Sequence, residues 1–146
     1  CYGTEICRDH PEGEDHGLIR ADVSGGWTEE EKDKFTASGR SDAENLIFNL
    51  VKTLGQYRQI TPALQTGKMM QFVPQDGIYT YFRYDENKTV MVMMNTHNKA
   101  AEVDTKRFDE RMSSFSAGLN ILNNQHVKDI STIHLQPYQT VILELK

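Results

Sequence analysis

Cysteine is scarce in this chain of 146 residues: there are two, Cys1 and Cys7, both at its start. So close a pair builds no disulfide framework, and two free thiols are the simplest reading. Apolar runs are short, none approaching the roughly 20 residues that cross a bilayer, so no membrane partner is expected. A basic excess is also missing. Sixteen Lys and Arg stand against 21 Asp and Glu, and the net charge of −5 argues against a nucleic-acid partner, which needs a concentrated basic surface. No Gly-x-Ser-x-Gly elbow is present, nor a phosphate loop ending in Gly-Lys-Ser/Thr. There is no starting Met and no signal peptide, which in an internal piece of a longer protein says nothing about the parent's destination. Internal repeats and low-complexity tracts are absent.

With 38% hydrophobic and 25% charged residues, what remains describes an ordinary globular chain, long enough for one domain or one small domain with an appendage. Residues 1–41 are rich in Gly, Asp, Glu and Ser with few periodic apolar positions, and read as a long loop. The spacing predicts an amphipathic helix over 42–58. Ser41 is its N-cap and Glu44, three positions on, completes a capping box. Leu46, Ile47, Leu50, Val51 and Leu54 fall on one face and need a partner surface. Gly55 and then Ile60-Thr61-Pro62 are its stop signals.

From residue 69 the period changes to two. Ile78–Tyr84 and Thr89–Asn95 read as strands joined by the short polar loop 85–88. Met69–Val73 is a possible strand before them, turned by Pro74 to Gly77. Later strands are expected at Ala101–Val103, Gly118–Leu122, Ile130–His134 and Thr140–Leu145, with a helical turn over Phe108–Met112. Pro137 ahead of the last strand marks the edge of that strand. Short strands at regular spacing predict a mainly β chain ending in an antiparallel β-sandwich. Tyr79 and Tyr81 share one strand face, where they either pack or form a carbohydrate platform. Met91, Met93 and Met94 read as core filler.

Three pieces of sequence carry a resemblance that covers essentially the whole chain. Tyr2-Gly3-Thr4-Glu5-Ile6 is similar to the run that leaves the eighth barrel strand of alpha-amylase-type enzymes, glycoside hydrolase family 13. Asp15-His16-Gly17-Leu18-Ile19-Arg20 and Gly25-Gly26-Trp27 resemble the sugar-contact loop of the neopullulanase or cyclomaltodextrinase-like branch found in starch-utilisation systems. Phe35-Thr36 through Tyr57-Arg58, then Pro62-Ala63-Leu64 and Gly67, resemble the last barrel helix and its exit. Downstream, Phe72 to Tyr79 and Thr89 to Val92 are similar to the opening strands of the C-terminal domain. Two departures stand out. The family's commoner loop is Asp-Pro-x-x-Arg, whereas no Pro follows Asp15 and Arg20 comes one residue late. Cys7 takes a place where the family often has Gly.

The resemblance implies two parts: residues 1–61 as the remnant of a (β/α)8 barrel (the exit loop of strand eight and the last helix), and residues 62–146 as the C-terminal sandwich. It implies an α-glucan substrate for the parent (starch, maltooligosaccharides, cyclodextrins or pullulan) and the parent's own catalytic barrel as partner. It also implies a periplasmic or cell-surface location. Retaining glycosidases need two carboxyl groups about 5–5.5 Å apart. In this family they lie on barrel strands that would precede residue 1, so no catalytic residue is expected here. Asp15 and Arg20 would contact sugar hydroxyls in the parent, the alternative being a solvated ion pair. Trp27 would stack on a sugar or anchor the loop on the barrel. An independent carbohydrate-binding module is the second reading. Cys1, Cys7, His10 and His16 are suitable zinc ligands. They lack the tight Cys-x(2–4)-Cys pair, so neither metal nor cofactor is expected, and a small metal-dependent enzyme is the third reading.

Overall fold

The computed structural model describes residues 3–7 and 22–146. The chain forms two compact units, Cys1–Thr53 and Leu54–Lys146.

In the first unit a 3-10 turn covers Thr4–Ile6, and 22–41 contain neither helix nor strand. Helix α1, Asp42–Gln59, begins here and runs on into the second unit. The capping box is formed. The Ser41 amide donates to Glu44 Oε2 at 2.7 Å, and the Glu44 amide donates to Ser41 Oγ at 3.3 Å, filling two donors that a helix start leaves orphaned. Gly55 does not stop the helix. It is exposed, nothing crowds it, and the ~1 kcal/mol that an interior glycine costs is tolerated. The stop comes at Thr61, which is extended ahead of Pro62. The Gln65 side-chain amide then donates to the last carbonyls, Arg58 and Gln59, both at 2.9 Å.

Helix α2 is Pro62–Gln65. Eight strands follow: β1 Lys68–Gln71, β2 Ile78–Tyr84, β3 Thr89–Asn95, β4 Ala101–Asp104, β5 Gly118–Asn120, β6 His126–Val127, β7 Thr132–Leu135 and β8 Thr140–Leu145. Between β4 and β5, the 3-10 turn Thr105–Phe108 leads into helix α3, Asp109–Met112. The strands form a six-stranded antiparallel sheet ordered β1-β2-β3-β8-β5-β6 and a two-stranded ribbon β4-β7. The expected mainly β, antiparallel sandwich is borne out. β8 is an inner strand between β3 and β5, and Pro137 lies in the turn that enters it, at the edge of the strand as expected.

Strand alternation builds the core. Ile78, Phe82, Met91, Met93, Val141, Leu143 and Leu145 point from the large sheet toward Ile133 and Leu135 of the ribbon and toward Phe108 and Met112. Phe72, Phe82 and Phe108 form an aromatic cluster, with Phe72 edge-on to Phe108 at 4.9 Å. Tyr79 and Tyr81 lie on the opposite face, half-buried, with ring centroids 5.7 Å apart. Met91 and Met93 are buried in the core, and Met94 is half-buried on that other face.

The exit after α1 that carries the family resemblance is held by packing and hydrogen bonds within the second unit. Arg58 donates to the Leu64 carbonyl, Ala63 is fully buried, and a Cβ on Gly67 would stand 2.4 Å from the Ala63 carbonyl and 2.6 Å from that of Tyr84. Arg83 Nη2 donates to the Gly67 carbonyl at 3.1 Å and ties the exit to β2.

Candidate functional site

Of the three residues read as substrate contacts, Asp15 and Arg20 lie outside the described residues, as do Cys1, His10 and His16. Trp27 is described, and its side chain is 76% exposed. The loop that carries it is built on Gly25 and Gly26, at φ +131° and +93°, backbone that a side chain rarely adopts. The Gly25 amide donates to Glu30 Oε2 at 2.6 Å, and the Glu30 amide returns to the Trp27 carbonyl at 3.3 Å. Trp27 therefore sits at the tip of a self-closed turn.

The remainder of the loop is tied to the start of α1. The Lys34 ammonium donates to both Glu44 oxygens at 2.7 and 2.6 Å. Arg40 donates to the Asn45 side-chain oxygen at 2.9 Å and to the Lys34 carbonyl at 2.8 Å, and its guanidinium stacks 3.8 Å above the Phe48 ring. The Asn45 amide in turn holds the Ala37 carbonyl at 2.9 Å. Gly39 passes so close to the Asp33 backbone that a Cβ there would lie 1.9 Å from the Asp33 carbonyl oxygen. Polar side chains thus fix a segment with almost no apolar core of its own.

Glu44 is the titratable centre of this arrangement. The Lys34 ammonium, then the Ser41 amide, pull its carboxyl down from the usual 4.5 to about 2. Because the folded value is the lower one, the contribution is complete above 4.5 and is lost as pH falls toward about 2. Following the Glu44 carboxyl carbon by NMR should give a midpoint near that lower value. A midpoint at the ordinary carboxylate value would mean that the box and the ion pair do not form in solution.

The second unit holds a charge cluster that sequence patterning missed. Glu144 Oε2 accepts from the Tyr57 hydroxyl at 2.7 Å and from Lys88 Nζ at 2.8 Å. Burial acts to raise the Glu144 carboxyl, but the Lys88 and Tyr57 hydrogen bonds outweigh it and the net shift is downward. Burial, then the Glu144 carboxylate, holds the Tyr57 phenol above its usual range, so it remains a donor. Its partners are 87 residues apart, which no local pattern reveals. The cluster fastens the end of α1 to β8 and is a structural lock. Among the described residues no group of three or more His, Cys, Asp or Glu is placed to hold a metal ion, and no helix is long and apolar enough to cross a membrane.

Comparison with known proteins agrees with this architecture. The family model of the cyclo-malto-dextrinase C-terminal domain matches residues 69–144, from β1 through β8. Among solved structures, AmyP in complex with maltose is 18% identical with a TM-score of 0.63, covering 72% of this chain and 21% of that one. AmyP in complex with maltotriose gives 17% and 0.63, over 73% of this chain and 22% of that one. The trehalulose synthase MutB from Pseudomonas mesoacidophila MX-45 is 20% identical with a TM-score of 0.52, covering 68% and 18%. At these identities the structures share the fold, and the chain spans about a fifth of their length. The resemblance to the C-terminal part of an alpha-amylase-family enzyme is borne out, and this chain belongs to the cyclo-malto-dextrinase C-terminal domain family.

Proposed function

We propose that the chain is the C-terminal accessory part of an α-glucan-cleaving enzyme of the neopullulanase or cyclomaltodextrinase type, with the bond-breaking acids elsewhere in the parent. The family match across the whole sandwich carries this reading. AmyP has been solved with maltose and with maltotriose, which supports starch-derived oligosaccharides as the substrate class. Residues 1–61 then complete the catalytic barrel, and 62–146 form the C-terminal sandwich. The apolar stripe of α1 supports the barrel as partner. Leu46 is 70% exposed, Leu50 and Val51 are exposed as well, and burying such side chains is worth about 1.5–3 kcal/mol each. Asp15 and Arg20 would contact sugar hydroxyls beside the cleft, and Trp27, exposed at its glycine turn, would present a ring to a sugar face or to the barrel. The parent would work by double displacement, and the family branch points to the periplasm or cell surface.

The experiment is a reducing-sugar assay on soluble starch. The parent enzyme releases sugar, and this chain alone releases none above buffer. Release by the isolated chain would overturn the separation of support from chemistry.

A further inference from the structure

Three loops meet at one end of the sandwich: 74–77 between β1 and β2, 96–100 between β3 and β4, and 136–139 between β7 and β8. Asn95, 3% exposed, binds the last two together, and the Thr96 amide donates to the Gly77 carbonyl at 2.9 Å. Its side-chain amide donates to the Lys99 carbonyl at 2.7 Å and the Gln136 carbonyl at 3.0 Å, while its Oδ1 accepts from the His97 amide at 2.9 Å. The 136–139 turn closes from the Gln139 amide to the Gln136 carbonyl at 3.1 Å, and the Tyr138 amide donates to the His97 carbonyl at 3.0 Å. The His97 ring lies against Gly77, where a Cβ would stand 1.9 Å from it.

Tyr138 is the anomaly in this frame. Its φ is +56°, a left-handed position where turns ordinarily use Gly or Asn. The residue is 69% exposed, so core packing does not account for it. A bulky residue held in strained backbone, with its side chain in solvent, points to a role for the ring itself.

We propose that this end of the sandwich is a surface contact for an α-glucan chain, separate from the catalytic cleft, with Tyr138 as the stacking ring and His97 as the neighbouring hydrogen-bond group. An exposed phenol offers a flat apolar face with a polar tip, the imidazole donates or accepts, and the loops beneath are already fixed, so little ordering is lost on binding. The α-glucan class rests on the function proposed above; the location rests on the strained, exposed ring.

The test uses this chain, Tyr138→Gly and NMR titration with millimolar maltoheptaose and, separately, cellohexaose. Maltoheptaose should shift the Tyr138 ring and His97 signals in the wild type. Tyr138→Gly should melt at the same temperature or a few degrees higher, because glycine relieves the left-handed strain, and should bind at least tenfold more weakly. Wild-type-like binding by the variant would overturn the site. So would a melting temperature several degrees lower, which would make the ring structural. If neither sugar perturbs this end, the site is overturned while the accessory role keeps its own assay. Perturbation by cellohexaose alone would overturn the α-glucan class at this contact, while the proposed function keeps its starch assay.

Discussion

Replacing Phe82 with alanine lowers the unfolding free energy by about 3–5 kcal/mol. Phe82 is fully buried in the middle of β2, faces the equally buried Met91 of β3 in register, and contacts the Phe72 and Phe108 rings at 5.9 and 6.2 Å. The neighbours on β3 and β8 are held by ladder hydrogen bonds on both sides, so they collapse little into the space left behind. The cavity cost therefore adds to the lost transfer energy. For a small domain stable by about 5–15 kcal/mol, that is a large share of the total. Urea unfolding would show it as a lower midpoint with an unchanged slope. The same truncation at Phe35, which is exposed, should stay within ~0.5 kcal/mol. A loss at Phe82 no greater than at Phe35 would mean that the aromatic cluster is not the centre of the core.

The second large effect belongs to Asn95→Ala, expected to cost about 2–3 kcal/mol. The side chain is buried at the end of β3 and bonds the 96–100 loop to itself and to the 136–139 turn. Alanine removes all three bonds. The carbonyls of Lys99 and Gln136 lie in exposed loops where water can replace the amide, which keeps the cost below that of fully buried orphans. Thermal unfolding gives the total, and hydrogen exchange gives the location: the His97 and Tyr138 amides should exchange faster while Val92 and Leu143 do not. A variant as stable as the wild type, with unchanged exchange at those two amides, would show that the 96–100 and 136–139 loops hold together without this side chain.

How legible the molecule was depends on whether its signals are local. The limits of β2 and β3 coincide with the runs Ile78–Tyr84 and Thr89–Asn95, because both runs are rich in aromatic, β-branched and apolar residues and are bounded by polar turn residues. The capping box at Ser41 and Glu44 was readable for the same reason. The sequence reading started the seventh strand at Ile130, whereas β7 begins at Thr132. Ile130 is buried like a strand residue, but its amide donates to the Ser116 carbonyl and not to the ribbon. Strand β6 has two residues, too few for any period to show. The inner place of β8 has no local signal, since pairing with β3 and β5 is settled by the core those strands share. At the candidate site, Gly25-Gly26-Trp27 was legible only through its family resemblance, and the Glu30 carboxylate that closes the turn is a contact of geometry. The left-handed Tyr138 had a faint signal in the Pro-x turn; the residue that occupies such a place carries no mark of being strained.

The place of β8 between β3 and β5 bears on how the domain is made. The β1–β3 meander forms early from neighbouring residues, yet β3 waits for partners some 50 positions further along, where Val92 meets Ile142. Until residues 140–145 emerge, β3 offers an unzipped edge whose Val90, Met91, Val92 and Met93 are all destined for burial. During synthesis that edge is the point at which nascent chains would adhere to one another, and this join closes the longest loop of any strand pair in the two sheets.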